Sequence, residues 1–528
     1  MSVLLLTSCV SHVDFDFEDE SGSSSGDGEG KVVTTTNFSF LMINNTGAGN
    51  EVYLSEGLAA DTVQIPNASF SYSKMSNTDT QASDSIGNHY TFSNGIIVAG
   101  FNSPNYDIIL IDKNNNFNVL ATIPGFGDTQ SDPIFLNRAG NQLFFIIKSA
   151  ASTYDLWVTD TTVAGTKMLK TVTDTYYSSP VMKDRNVSFN GKLYFRGGDA
   201  VNGPELWVTD GTVSGTRIVD DYIPGAAGLD PRKFMVVNNS LYIYSSTNRT
   251  IYHMGEDEVI TEVSSLPGTV SNVRFNENEL AFNDSYFCFQ LSASTGSHLT
   301  CVNTDTQVAE SRFYTSNAHF LGEENGTFYF VEDYDINPDP MVTDLRSRIY
   351  ETSGEITSQA PIQIHEMNAQ VNGINYSQTN YENTNGIISH IRYIEDGVGT
   401  KHMFVKIKDS VVTEIDNLIY PYITDPTINQ ITLYTSYRSF RTNNPGTFVY
   451  MVNDGAQVVT VLQSDATAAG TQIVKQVDMA DIIANISSGN AAQGYAKFLV
   501  GLLDGMSIVR PYDFSVDQYF HANTSVLN

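Results

Sequence analysis

A 528-residue chain with 59 acidic against 28 basic side chains, net −31, repels phosphate backbones and anionic headgroups, which excludes nucleic-acid binding and polybasic membrane attachment. Its 41% apolar residues, with 28 Tyr and 29 Phe, support a large core and exclude wholesale disorder. No apolar run approaches the roughly 18 residues of a membrane-spanning helix, so any membrane contact needs another means.

The chain opens MSVLLLTSCVSH. Leu6-Thr7-Ser8-Cys9 resembles the bacterial lipobox, in which small and apolar residues precede a cysteine that becomes lipidated. Residues 1–9 are read as a lipoprotein signal, with Cys9 as the lipidation site and the only expected contact with a membrane. Acyl chains contribute about 0.8 kcal/mol per buried methylene, so several of them make a stable anchor. The apolar run Val3 to Leu6 is shorter than an ordinary secretory core and lacks a preceding Lys or Arg. A translation start upstream of Met1 would explain both. Residues 10–36 have the acidic, Ser/Gly-rich composition of a tether. Gly22-Ser23-Ser24-Ser25-Gly26 matches a nucleophile elbow in letters only, because that motif needs a strand before it and a helix after it.

Residues 37–528 read as one repeat domain. DLWVTDTTVAGT at 155–166 and ELWVTDGTVSGT at 205–216 share nine of twelve residues at an offset of 50. In the second copy Lys192-Leu193-Tyr194-Phe195-Arg196 alternates like a strand, Glu205 to Thr209 forms another, Asp210-Gly211 turns the chain, and Thr216 to Val219 returns. EVYLSEGLAADTVQI, DIILIDKNNNFNVLATI, TIYHMGEDEVITEV, RIYETSGEITSQ, MFVKIKDSVVTEI and VLQSDATAAGTQIVK are weaker copies. Strands such as GIIVAGF, QLFFIIK, SLYIYSS, ELAFND, TFYFVED and TFVYMVN precede these hairpins, and no window has a helical period between them. Short strands at such spacing predict an all-β fold, a single β-propeller built from four-stranded blades of about 50 residues. Eight blades are expected, within a range of about seven to ten, closed by both termini, with KVVTTTNF (31–38) supplying an outer strand.

ELWVTDGTVSGTRIV resembles the ELWVTDGTxxGTxLV repeat of bacterial surface and secreted proteins, many of them lipoproteins. The resemblance is close at 155–170 and 205–220, looser at 461–475, and elsewhere a matter of pattern. It implies a propeller-like, surface-exposed protein and supplies no reaction, ligand or catalytic residue.

The repeat residues Trp157, Asp160, Gly165, Thr166, Trp207, Asp210, Gly215, Thr216, Asp465, Gly470 and Thr471 are read as structural. An Asp before a turn accepts hydrogen bonds from the following backbone, Thr caps it locally, and a catalytic group is needed once rather than once per blade. The two Trp are read as blade packing rather than a sugar platform. No metal site is expected. His365-Glu366 only begins a zinc motif, and Asp112 to Phe117 is better read as a hairpin turn than as a calcium loop. Asp333, Asp335 and Asp339 in DYDINPDP are a weak calcium candidate in a loop. Cys288 and Cys301 lie symmetrically about Ser294-Thr295, so a tight hairpin there would place them opposite each other. A disulfide is expected in an exported chain, with two buried thiols as the alternative.

These readings predict a surface-anchored lipoprotein whose propeller binds or scaffolds an extracellular or envelope protein or polysaccharide, with no cofactor. An enzyme acting on glycans or peptides from the propeller funnel is a second reading, and a structural subunit of an envelope assembly a third.

Overall fold

The computed structural model describes strands between Ser39 and Asn523 and, with side chains, most of residues 92–126, 133–173, 185–266, 285–314, 318–334, 346–367, 386–389, 403–418 and 462–473. All regular structure there is β, in small antiparallel sheets. Eight sheets follow one another along the chain between Lys74 and Asp478. We number them second to ninth, because a first sheet joins the two ends of the chain: Ser39–Asn45 pairs on one side with Asn50–Ser55 and on the other with Gln518–Asn523. Residues 31–38, expected to supply an outer strand, lie outside the described residues, as does Cys9.

The third to fifth and the seventh to ninth sheets are four-stranded up-and-down meanders. The third runs Ile134–Ala139, Gln142–Ala150, Thr153–Thr159, Lys167–Thr173, and the fourth Asn186–Phe189, Lys192–Asp199, Gly203–Thr209, Arg217–Ile218. The fifth runs Pro231–Val237, Ser240–Ser245, Thr250–Met254, Ile260–Ser265, and the seventh Ala318–Glu324, Thr327–Asp335, Leu345–Thr352, Ile362–Met367. The sixth departs from the sequence reading. ELAFND supplies only the short strand Ala281–Phe282, and the long second strand is Tyr286–Ala293, paired with Gly296–Asn303, which pairs in turn with Val308–Tyr314.

The apolar second strands explain the stacking. Leu143, Phe144, Phe145, Ile146 and Ile147 are all fully buried, so both faces of the third sheet are covered. Strand alternation divides them. Phe144 and Ile146 pack with Leu193, Phe195 and Trp207 of the fourth sheet, whereas Leu143, Phe145 and Ile147 pack with Ile97, Ile108 and Leu110 of the second. The same division recurs at the fourth sheet, where Leu193 and Phe195 face back and Tyr194 faces forward. It recurs again at the seventh, where Phe328 and Phe330 face back and Tyr329 and Val331 forward. Consecutive sheets from the second to the eighth therefore stack face to face, each burial of a Phe or Leu contributing roughly 1.5–3 kcal/mol.

The meander gives these sheets two unlike edges. One, the turn edge, carries the hairpin between strands one and two and the turn between strands three and four. The other, the link edge, carries the hairpin between strands two and three and the connection to the next sheet. At the turn edge polar bonds repeatedly join one sheet to the third-to-fourth turn of the next. Tyr194 Oη donates to Glu258 Oε1 at 3.1 Å, Gln307 Nε2 donates to the Tyr242 hydroxyl at 3.1 Å, and the Tyr329 and Ser410 hydroxyls lie 3.2 Å apart. These three tyrosines hold one register position, opposite Val208, His253 and Glu351. In the sixth sheet that position is Cys288, and the next joint is made instead by Glu310, which accepts the Thr357 N–H at 2.9 Å.

Candidate functional site

The repeat motif forms one hydrogen-bonded turn in three sheets. Asp160, Asp210 and Asp465 each accept, through Oδ1, the N–H and the hydroxyl of the Thr two residues on, at 2.6–3.0 Å. That Thr hydroxyl accepts the N–H of Gly165, Gly215 or Gly470 at 2.9 Å. Thr166, Thr216 and Thr471 donate to the backbone of the same Thr at 2.6 Å. A Cβ on any of the three glycines would stand 1.9–2.1 Å from the Asp carboxylate. The residue after each Asp has positive φ (Thr161, Gly211, Ala466), which glycine alone adopts without strain. Trp157 stacks on Phe145 with centroids 6.1 Å apart, and the buried Trp207 packs 6.3 Å from Phe195 with Lys170 Nζ 5.1 Å over its ring. Every Asp oxygen that receives these bonds is engaged in shaping a turn.

A different register position, near the link edge, changes its chemistry from sheet to sheet. Asp107 and Asp155 accept the hydroxyls of Thr122 and Thr171, which face them on the fourth strands. In the fourth sheet the same place is Glu205, but the fourth strand there is only Arg217–Ile218. The link 219–230 crosses instead, and Glu205 Oε1 accepts the Leu229 N–H at 2.9 Å. On the other face of that sheet the fully buried Arg196 donates from Nε to Asp230 Oδ1 at 2.7 Å, and Arg232 holds Oδ2 at 2.7 Å. This ion cluster ties link to sheet and is too buried to meet a substrate.

In the seventh sheet the same register position is Arg348, and here the site opens. Glu332, Tyr334, Arg346, Arg348 and Tyr350 share one face, since Glu332 lies opposite Arg348 and Tyr334 opposite Arg346. Arg348 Cζ lies 3.5 Å above the Tyr334 ring, with Nε 3.7 Å from Glu366 Oε2, and the Tyr334 hydroxyl donates to Glu366 Oε1. That phenol holds the Glu366 carboxyl below its ordinary range, aided by Arg348, while burial and Glu366 push the phenol up. Toward the core Tyr350 stacks on Phe330 at 5.1 Å, and Tyr314 of the sixth sheet meets Phe330 edge-on at 5.6 Å. Arg312 Cζ lies 5.7 Å over Tyr314. Burial raises the hydroxyls of Tyr314 and Tyr350. The result is a half-exposed face of Tyr and Arg held in fixed geometry by packing, ion pairs and cation–π contacts, the residue types that anchor recognition surfaces.

The loop placement of the weak calcium candidate is corrected. Asp333 and Asp335 lie in the strand Thr327–Asp335 rather than a loop, and the buried Asp333 accepts the Ser347 hydroxyl at 2.8 Å across the sheet. Asp339 lies outside the described residues. Asp112 and Asn116 close a hairpin, with Asn116 N–H donating to Asp112 Oδ1 at 2.9 Å. His365 Nε2 stands 2.9 Å from Glu414 Oε1 of the eighth sheet. Cys288 and Cys301 sit directly opposite in register and form a buried disulfide, which fits an oxidising, extracytoplasmic location. Sequence reasoning passed over Arg348 and its neighbours, although R-S-R-I-Y at 346–350 carries the alternation that puts both Arg and the Tyr on one face.

No family model matches the chain, and no curated protein matches it. The repeat resemblance therefore stands on the residues quoted above. Among solved structures, a post-proline cleaving enzyme from Rickettsia typhi aligns at 9% identity and TM-score 0.36, covering 81% of this chain and 57% of that one. The tricorn protease aligns at 9% and 0.31, covering 84% and 48%. TolB from Acinetobacter baumannii aligns at 11% and 0.24, covering 63% and 80%. This chain spans about half the length of the first two. All three contain β-propellers, and at these scores the likeness carries no argument about this chain's fold or activity.

Proposed function

We propose that this chain is an exported, surface-anchored binding module whose stacked sheets are the blades of one propeller, closed by the sheet that both ends share. Its partner, a protein or polysaccharide of the cell envelope or its surroundings, meets the link edge, with the Tyr334–Arg348–Glu366 face of the seventh sheet as the anchor. The observation that carries the reading is that face: aromatic rings and guanidinium groups pre-organised and half exposed. The turn edge is taken up by sheet-to-sheet bonds, which leaves the link edge for a partner. Attachment through Cys9 is part of the proposal and rests on the lipobox resemblance alone.

The test is retention of envelope proteins and purified envelope polysaccharides by the full chain, compared with Arg348→Ala and Tyr334→Ala. Each variant is expected to weaken a retained partner at least roughly tenfold, the cost of losing one anchor side chain. Unchanged retention by both variants places the partner elsewhere. Cys9→Ser is expected to move the chain from the membrane fraction to the soluble one, and a chain that stays with membranes is not held by a lipid at Cys9.

A further inference from the structure

Glu205 combines three features that no other carboxylate described above shares. It is fully buried, its Oε1 accepts the Leu229 N–H, and its Oε2 has no hydrogen-bond partner. An ionised carboxylate in that place would carry an uncompensated charge out of water. Among the described residues the surroundings supply no counter-charge. Arg196 lies on the opposite face of the sheet, because Arg196 sits across from Leu206 while Glu205 sits across from Gly197. Arg196 and Arg232 are both engaged by Asp230. Lys170, on the third sheet, lies over the ring of Trp207, two residues along the strand. The groups that bear on Glu205 from the link are Asp220 and Asp221, both exposed and both negative. Among the described residues no group of three His, Cys, Asp or Glu is placed to hold a metal ion, so a cation has no cage here.

We propose that Glu205 is a proton-dependent catch: it carries a proton at neutral pH, holds the link 219–230 against the fourth sheet, and releases it when that proton is lost. The link is built to be held at its end. Asp230 N–H donates to the Pro204 carbonyl at 2.8 Å, and Thr247 of the fifth sheet donates to the Gly228 carbonyl at 2.9 Å. Its middle is exposed from Pro224 to Ala227, with Gly225 and Gly228 at positive φ. Burial, opposed by the Leu229 N–H and reinforced by Asp221, pushes the Glu205 carboxyl up to about 8 from an ordinary 4.5. The held state therefore binds the proton more tightly than the released one, so holding is complete below 4.5 and fades as pH rises through about 8.

Hydrogen exchange of the full chain, read at the Leu229 amide that donates to Glu205, tests this. Protection, corrected for intrinsic exchange, is expected to fall by up to about tenfold per pH unit between roughly 5 and 8 and to level off above that. Glu205→Gln keeps the acceptor and removes the titration, so its protection should be flat over the same range. Asp220→Asn with Asp221→Asn, at exposed positions, should shift the wild-type inflection to lower pH without altering the fold. Wild-type protection independent of pH, or an inflection that survives Glu205→Gln, overturns the proposal. Should the Gln variant not fold, an inflection that the Asp220→Asn, Asp221→Asn pair leaves unmoved overturns it equally. Neither result depends on a partner, so failure here leaves the binding reading to its own test.

Discussion

The two edges of these sheets are made from the same strands and solve different problems. At the turn edge, Tyr194, Tyr242 and Tyr329 occupy one register position and reach the same turn of the next sheet, so the joint is repeated with small changes. Near the link edge, the equivalent positions Asp155, Glu205 and Arg348 are respectively hydroxyl-bonded, buried against a link, and half exposed in a Tyr–Arg face. A repeat can vary only where neighbouring blades do not depend on it. The edge that varies is the one free to acquire a site, which is why recognition is assigned there.

The largest expected effect tests whether the link edge is also the more costly to disturb. Asp230→Ala removes the carboxylate from a buried Arg196 and should destabilise the chain by roughly 3–5 kcal/mol. At the turn edge Glu258→Ala removes a carboxylate from Lys192 and Arg217, whose side chains are 38% and 48% exposed. That change also takes the acceptor from the buried Tyr194 hydroxyl, and should cost about 1–3 kcal/mol in all. Denaturant unfolding of the two variants side by side decides it. Equal losses would remove the asymmetry between the edges.

The division also marks what was legible in the sequence. The second strands were legible because a strand buried on both faces is apolar at consecutive positions, as in QLFFIIK, whatever its neighbours are. Asp210, Thr212 and Gly215 were legible as a turn because all their partners lie within a few residues. The cysteine pair was legible because a tight hairpin fixes its own register. Glu205 was not, since DLWVTD and ELWVTD differ there by one methylene. What separates them is that one fourth strand runs Lys167–Thr173 and the other stops after Arg217–Ile218. Residues Asp220-Asp221 and Pro224-Gly225 end it, and only the packed link then buries the carboxyl. The loop reading of DYDINPDP missed for the same reason in reverse: cross-strand pairing with Leu345 to Ser347 draws Asp333 to Asp335 into a sheet.

A smaller effect is expected from the sixth sheet, where the turn-edge tyrosine is replaced by Cys288. The disulfide closes a sequence separation of 13 residues, so Cys288→Ala with Cys301→Ala should cost about 3 kcal/mol at most. Thermal unfolding of the wild type with reductant should then approach that of the double variant. A double variant as stable as the oxidised chain would mean that Glu310 and Thr357 suffice to hold the joint.

The smallest expected effects lie in the repeat turn itself, and they bear on whether it builds or binds. Asp210→Ala removes the acceptor for Thr212 N–H and hydroxyl, and Asp465→Ala does the same for Thr467. Each change resembles loss of a capping side chain and should cost roughly 1 kcal/mol. The two turns lie in the fourth and ninth sheets and share no hydrogen bond, so the costs should add within about 0.5 kcal/mol. Neither change should alter retention of a partner by the Arg348 face. A turn that only shapes the chain loses stability and nothing else. If Asp210→Ala abolished binding while leaving unfolding unchanged, recognition would belong to the turn edge, and the regular joints rather than the variable ones would be the functional surface.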